Sequence, residues 1–322
     1  MSPVNDVLGT VQVVDGADLK VIRSIVQLAQ YDPLEDPDGF WYSAASAAAA
    51  VPDSMGCPPP SGLRLLRGLL ANDELPETPR DSRRPAGRHV LLSEFWLSVF
   101  GLLLGTPVSY RGQQGSVLHQ NVAPIPGSEQ EESDVGSVQA LPMHTENPFH
   151  VLPPDYVLFA CLRSDPGGTA GTTVARVSDL AGQLDVDVVA NLRRPIFAER
   201  GVAPPSQPIP VLRGLPDDPL ARYDASWTSS NEFEGTLALD ALARELPRCM
   251  GMMNLRAGDL LVLDNRRWLH GRTPFHASSE GLNRWLQRLY VCEESEHLKA
   301  SVEQGDLVRA PIGPQPDGAR AR

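Results

Sequence analysis

Beyond residue 105 the chain breaks into short runs rich in valine, leucine and aromatic residues, with Gly/Pro/Asp turns between them. SVLHQNVAP, SVQALPMHT, DYVLFACLR, GTTVARV, GDLLVLDN and RWLQRLYV follow one another in this way. That texture predicts an all-β sandwich or barrel. Helices are expected ahead of it and around it. Asp15 to Gln30 carries Leu19, Ile22, Val26 and Ala29 at helical spacing behind a capping Asp15. Ser93 to Leu104 is apolar almost all round, with Ser93 as its cap and Gly105 as its stop, the pattern of a buried helix. Gly62 to Leu70 reads as a strand with alternate leucines, residues 31–60 as a mixed region, and residues 71–88 as a surface loop.

Two interruptions divide the β-like part. Pro124 to Ser137 is polar and glycine-rich, so 125–137 is expected to be either a moving lid or an ordinary exposed loop. Roughly Ala203 to Glu234 is rich in proline and then in Ser/Thr/Asn. A helix from Leu237 to about Met250 should follow, with Leu239, Leu242 and Leu246 on one side and Pro247 kinking or ending it. From Ala310 the tail reads as disordered.

A net charge of −12 argues against a nucleic-acid partner, and no apolar run approaches bilayer length. The first residues, MSPVNDVLGT, lack the regions of a signal peptide, so a soluble cytoplasmic protein is expected. The cysteines Cys57, Cys161, Cys249 and Cys292 form no CxxC pair, and buried free thiols are expected.

The residues that carry chemistry lie in VQALPMHTENPFH. If this run is a strand, His144 and Glu146 point the same way, because side chains alternate between faces. An imidazole and a carboxylate on one face supply two ligands of a facial metal site. The third should be a distant histidine, and His270 is the candidate, at the end of the apolar strand LLVLDN and followed by Gly271. Arg284 lies fourteen residues further on, and Thr172 and Thr173 begin another β-like run.

HTENPFH, LRSDPGGTAGTTVARVSDL, GDLLVLDNRRWLHGRTPF and RWLQRLYV, in that order, resemble the iron(II)/2-oxoglutarate dioxygenases of the clavaminate synthase type, with taurine dioxygenase as a more distant relative. The likeness runs from about Gly62 to Val291. It implies a double-stranded β-helix (jelly-roll) core with flanking helices, mainly β, in a single domain over 1–322. Within it, 1–105 would be the helical flank, 106–295 the core with an insert at about 203–250, and 310–322 the tail. It further implies that His144, Glu146 and His270 bind Fe(II). Arg284 would hold the distal carboxylate of 2-oxoglutarate with help from the Thr172 hydroxyl. Arg288, on the same strand face as Arg284, would receive the α-carboxylate of the substrate. Glu146 through its free oxygen, and Gln113 or Gln114, would meet the substrate amine. Asp224 falls where arginine-hydroxylating relatives carry paired acids, but Ser226 stands at the second position; Asp224 as a turn cap is the simpler alternative.

The implied reaction consumes O2 and 2-oxoglutarate and hydroxylates an unactivated Cβ or Cγ of a free L-amino acid or close derivative, in specialised-metabolite or antibiotic biosynthesis. Desaturation or ring closure by the same chemistry is an alternative outcome. Two rivals of other classes are a non-catalytic jelly-roll binding protein and a zinc hydrolase, the latter having no use for Arg284.

Overall fold

The computed structural model describes residues 31–52, 61–69, 75–81, 91–202, 207–277 and 281–311, together with positions 25, 29, 55, 83 and 84. The expected helix at 15–30 and most of the expected tail at 310–322 lie outside these residues. The chain begins with helix α1 (Pro37–Ala48), strand β1 (Leu63–Leu66), helix α2 (Leu91–Leu104) and strands β2 (Thr106–Tyr110) and β3 (Gln120–Val122). Strands β4 (Leu141–His144), β5 (Tyr156–Arg163) and β6 (Thr172–Arg176) follow, then helices α3 (Val177–Ala181) and α4 (Val186–Leu192). The insert holds β7 (Phe197–Glu199), β8 (Leu212–Gly214), β9 (Pro219–Ala221), β10 (Thr228–Ser230) and helix α5 (Phe233–Cys249). The chain returns through β11 (Met250–Met253), β12 (Leu260–Asp264), β13 (Trp268–Arg272), β14 (Trp285–Cys292), helix α6 (Glu296–Gln304) and β15 (Leu307–Arg309).

Two sheets make the sandwich. The larger runs β1-β12-β5-β14-β2-β15, with β3 also paired to β14; the smaller runs β11-β6-β13-β4. Alternation along β5 accounts for the layering. Val157, Phe159 and Cys161 join Val174, Met253 and Trp268 of the small sheet in the central core. Leu158, Ala160 and Leu162 turn the other way, onto Phe95, Trp96 and Phe100 of α2. The outer face of the small sheet, Met143, Ala175 and Leu269, is covered by Leu242 and Leu246 of α5 and by Leu180 of α3. Helices therefore shield both outer faces, and the site occupies the part of the interior between the sheets that the central core leaves open.

Several boundaries differ from the sequence expectation. Ser93 is not a cap: α2 begins at Leu91, and Ser93 lies inside the helix, where its hydroxyl donates to Gln287. Residues 31–60 contain α1, which starts on an Asp36 side chain accepting from the Gly39 N–H, with Pro37 at its first turn. Pro247 does not break α5 early; the helix closes two residues later. The run around His144 is strand only over Leu141–His144, and Asn147 takes a left-handed φ of 48° in the turn that follows. His270 does not end the LLVLDN strand. It is the middle residue of a separate strand, β13, reached after the turn Asp264–Arg267, where Asp264 accepts from the Arg266 backbone and side chain.

His119 ties the helical layer to the sheet. Its ring stacks on Trp41 with 6.0 Å between centroids, and its Nε2 lies 2.9 Å from the Ser98 hydroxyl. Burial, with Arg84 adding to it, pushes its pKa from the ordinary 6.5 down to about 3. The folded chain thus refuses a proton that the unfolded chain accepts below 6.5. Its contribution to stability is intact above that pH and is lost as pH falls towards about 3. In urea titrations between pH 7 and 5, His119→Gln should flatten the loss of stability with acid. The expected change is at most about 1.4 kcal/mol per pH unit, the equivalent of one proton. An unchanged slope would refute this role.

Candidate active site

The two histidines are direct neighbours across a strand pair. His144 of β4 and His270 of β13 are register partners, with ring centroids 4.4 Å apart. Glu146 lies two residues beyond the end of β4 and is held by a different device. Asn265 accepts from the Glu146 N–H at 2.7 Å and returns its own amide to the Glu146 carbonyl at 3.2 Å. The sequence gives no spacing by which this clamp could be read, because it joins segments 119 residues apart.

One ligand atom from each of His144, Glu146 and His270 lies within 4.8 Å of the others. His144 directs Nδ1 to the Pro142 carbonyl at 2.8 Å, which leaves Nε2 as its free donor. His270 Nε2 is 3.3 Å from Glu146 Oε1, while its Nδ1 is buried without a partner among the described residues. Burial and the neighbouring His144 lower the His270 pKa to about 4, so the ring is neutral at physiological pH and offers a lone pair. Burial alone would raise the Glu146 pKa, but Arg288 and His270 outweigh it and hold the carboxyl well below its ordinary range. Two neutral imidazoles and one ionised carboxylate suit a divalent transition metal.

The guanidinium groups come from the opposite sheet. Arg284, at the foot of β14, and its alternate residues Leu286, Arg288 and Tyr290 all line the same cavity of about 430 Å³ as the histidines and Glu146. Arg284 is buried, with Nη2 donating to the Thr172 hydroxyl at 3.2 Å. Burial lowers its pKa, with Cys161 and Asp165 opposing, yet an arginine stays charged. Among the described residues no carboxylate lies within ion-pair distance of it. Thr172, not Thr173, faces inward: β6 pairs Thr172 with Arg272, and Thr173 turns outward to Met143. Arg288 is engaged on every side, by Glu146 Oε1 at 3.0 Å, Gln120 Oε1 at 2.8 Å and Asp134 Oδ2 at 3.1 Å.

Gln113 and Gln114 also line the cavity. Gln114 donates to Asp134 at 2.6 Å, and Gln113 to Asn147 at 3.0 Å. The loop 125–137 folds back on itself through Ile125 N–H to the Val135 carbonyl, and Asp134 at its end closes over Arg288. Arg272 donates to the Ser137 and Gln139 carbonyls at 3.1 Å each and so fastens the same segment. Asp224 stands apart from the cavity of the arginines. It lines an adjoining cavity of about 460 Å³ with Glu199, Trp227 and His144, and its Oδ1 caps the turn by accepting from Ser226 and Trp227 N–H. Asn265, Gln120, Asp134 and Tyr290 are site residues that the sequence reading missed. Tyr290 carried a signal, since it continues the alternation that selected Arg284 and Arg288.

Residues 207–290 match the model of the taurine catabolism dioxygenase TauD, TfdA family. The chain is 31% identical to clavaminate synthase 2 of Streptomyces clavuligerus over 86% of its own length and 90% of that protein. A structure of asparagine oxygenase with Fe(II), 2S,3S-3-hydroxyasparagine and succinate superposes with a TM-score of 0.78 at 31% identity, covering 87% of this chain and 92% of that one. A structure of the non-haem iron oxygenase OrfP with Fe and α-ketoglutaric acid gives a TM-score of 0.77 at 28% identity, covering 90% and 95%.

Gly271 sets how closely the strands meet beside His270. A Cβ there would lie 2.5 Å from the Leu141 carbonyl and 3.0 Å from the Thr173 hydroxyl. Gly271→Ala should force β4 away from β13 and part the two histidines. The expected result is a lower melting temperature and divalent-metal affinity reduced about tenfold or more by calorimetry, a loss of the size that follows disturbed ligand support. Unaltered affinity would show that the strand spacing does not govern the site.

Proposed function

Because the chain belongs to the clavaminate synthase-like family of iron(II)/2-oxoglutarate-dependent dioxygenases, we propose that it hydroxylates Cβ or Cγ of a free L-amino acid or close derivative. His144, Glu146 and His270 hold the iron in this reading, and Arg284 holds 2-oxoglutarate. The observation that carries it is the buried Arg284 guanidinium, which lines the cavity of the three ligands and has no carboxylate partner among the described residues. An uncompensated buried charge costs several kcal/mol, so such a group calls for an anion. A planar guanidinium suits a carboxylate, and the Thr172 hydroxyl fixes its orientation.

When bound, iron and the keto acid supply the oxidising power, and succinate and carbon dioxide are the by-products. The chain's own residues hold, orient and exclude. Arg288 receives the amino-acid carboxylate, in competition with Asp134, and the displaced Asp134 and Glu146 become acceptors for the ammonium group. Gln113 and Gln114 border that position. The side chain extends past His144 into the cavity lined by Asp224. Leu141, Phe159 and Leu286 form the apolar wall that keeps the target carbon dry. The loop 125–137, carrying Asp134, acts as the lid.

The test is incubation with Fe(II), 2-oxoglutarate and single L-amino acids, with succinate and product mass as readouts. Substrate-stimulated succinate with the gain of one oxygen atom is expected, and loss of two hydrogens would indicate desaturation instead. No stimulation by any amino acid or derivative would favour a binding protein. Arg284→Gln should weaken 2-oxoglutarate binding at least about tenfold by calorimetry, given that charged hydrogen bonds contribute about 1.5–3 kcal/mol. It should leave metal affinity near that of the unaltered protein. Equal 2-oxoglutarate binding by both would remove Arg284 from this role.

A further inference from the structure

We infer that Tyr290 is a positioning residue that restricts Glu146 to one-oxygen coordination of the metal. The two Glu146 oxygens have different surroundings. Oε1 lies 3.3 Å from His270 Nε2, whereas Oε2 accepts from the Tyr290 hydroxyl at 2.8 Å. Two donors that share one ion at right angles, with bonds of about 2.1 Å, sit about 3 Å apart. Oε1 therefore has the spacing of a co-ligand of His270. Oε2 is committed to a hydrogen bond that would have to break before the carboxylate could chelate.

The tyrosine is well placed to hold that bond. It is buried, its ring lies under the Arg288 guanidinium at 4.8 Å, and Tyr110 packs against it edge-on at 5.7 Å. The ring is thus packed on both sides, and its hydroxyl donates to Glu146 Oε2. A chelating carboxylate would take one of the coordination positions that a facial site leaves open. Arg288 alone does not prevent this, because its contact is to Oε1. The inference rests on the reading of Glu146 as a metal ligand.

Tyr290→Phe removes the hydroxyl and keeps the ring. Tyr110→Phe is the comparison, since the Tyr110 hydroxyl donates to the Leu152 carbonyl and touches no ligand. Co(II), a visible stand-in for Fe(II), is titrated into each protein by calorimetry and by absorption. For Tyr290→Phe we expect affinity about tenfold weaker, the size seen when groups supporting a ligand are lost. The Co(II) spectrum should change as the coordination number rises. Tyr110→Phe should leave both as they are. Wild-type affinity and spectrum in Tyr290→Phe would overturn the inference alone, while no Co(II) binding by the unaltered protein would overturn the metal site as well. Should Tyr290→Phe fail to fold, a ring-fluorinated tyrosine at 290 keeps the shape and strengthens the donor. Tighter Co(II) binding with the spectrum kept then supports the inference, and unchanged or weaker binding, or a changed spectrum, refutes it.

Discussion

A carboxylate inside a β-sandwich stays ionised only if its surroundings replace the water it has lost. Glu146 has that replacement at each oxygen: Arg288 and His270 at Oε1, Tyr290 at Oε2. The rest of the site is arranged around this group. Asn265 fixes its main chain, β14 supplies Arg288 and Tyr290 on one face, and β13 brings His270 alongside. Removing Arg288 would leave the buried Glu146 charge without its ion-pair partner, a loss of about 3–5 kcal/mol. The two sheets therefore meet at the site through polar contacts as well as through the apolar core.

The division of labour between the sheets follows from their pairing. The small sheet is narrow, and its inner face at β4, β6 and β13 carries His144, Thr172, His270 and Arg272. In the large sheet, β14 is central, bonded to β5, β2 and β3. Gln120 on β3 sits opposite Arg288 in register and accepts from it, so the guanidinium is oriented from its own sheet. The outward residues of β14 also contribute. Gln287 reaches the Glu94 carboxylate in α2, which Arg84 grips with two bonds. Strand β14 is thus held from behind by a polar network and faces the cavity with another.

Much of this was legible in the sequence wherever one period decided it. The alternation RWLQRLYV put Arg284 and Arg288 on one face, and Tyr290 belongs to the same series. The HxE spacing put His144 and Glu146 together, although the strand stops at His144 and a side-chain clamp carries Glu146 the rest of the way. What could not be read depends on pairings between distant segments. The choice of Thr172 over Thr173 is set by the register of β6 on β13. Asn265 and Asp134 act across 119 and 154 residues of sequence, so no local pattern points to them. Helix α1 was a different kind of omission, because Asp36 followed by Pro37 is a local start signal that the alanine run obscured.

Charge is what would let one chamber take the two ligands of the proposed reaction at different places. Arg272, Arg284 and Arg288 line the main cavity against Asp134 and Glu146, which leaves positive charge in excess. A divalent ion held by His144, Glu146 and His270 would increase that excess. A dicarboxylate is the natural counterweight, and in the function proposed above its far end goes to Arg284, which has no carboxylate partner among the described residues and, unlike Arg272, is not fastened to the Ser137 and Gln139 backbone carbonyls. Arg288 already has its anions, so it gains least from a second dicarboxylate. A zwitterion fits it better, because such a ligand offers a carboxylate to the guanidinium and an ammonium to the carboxylates it displaces. On the proposed reading, the difference between the paired Arg288 and the unpaired Arg284 would separate substrate from co-substrate.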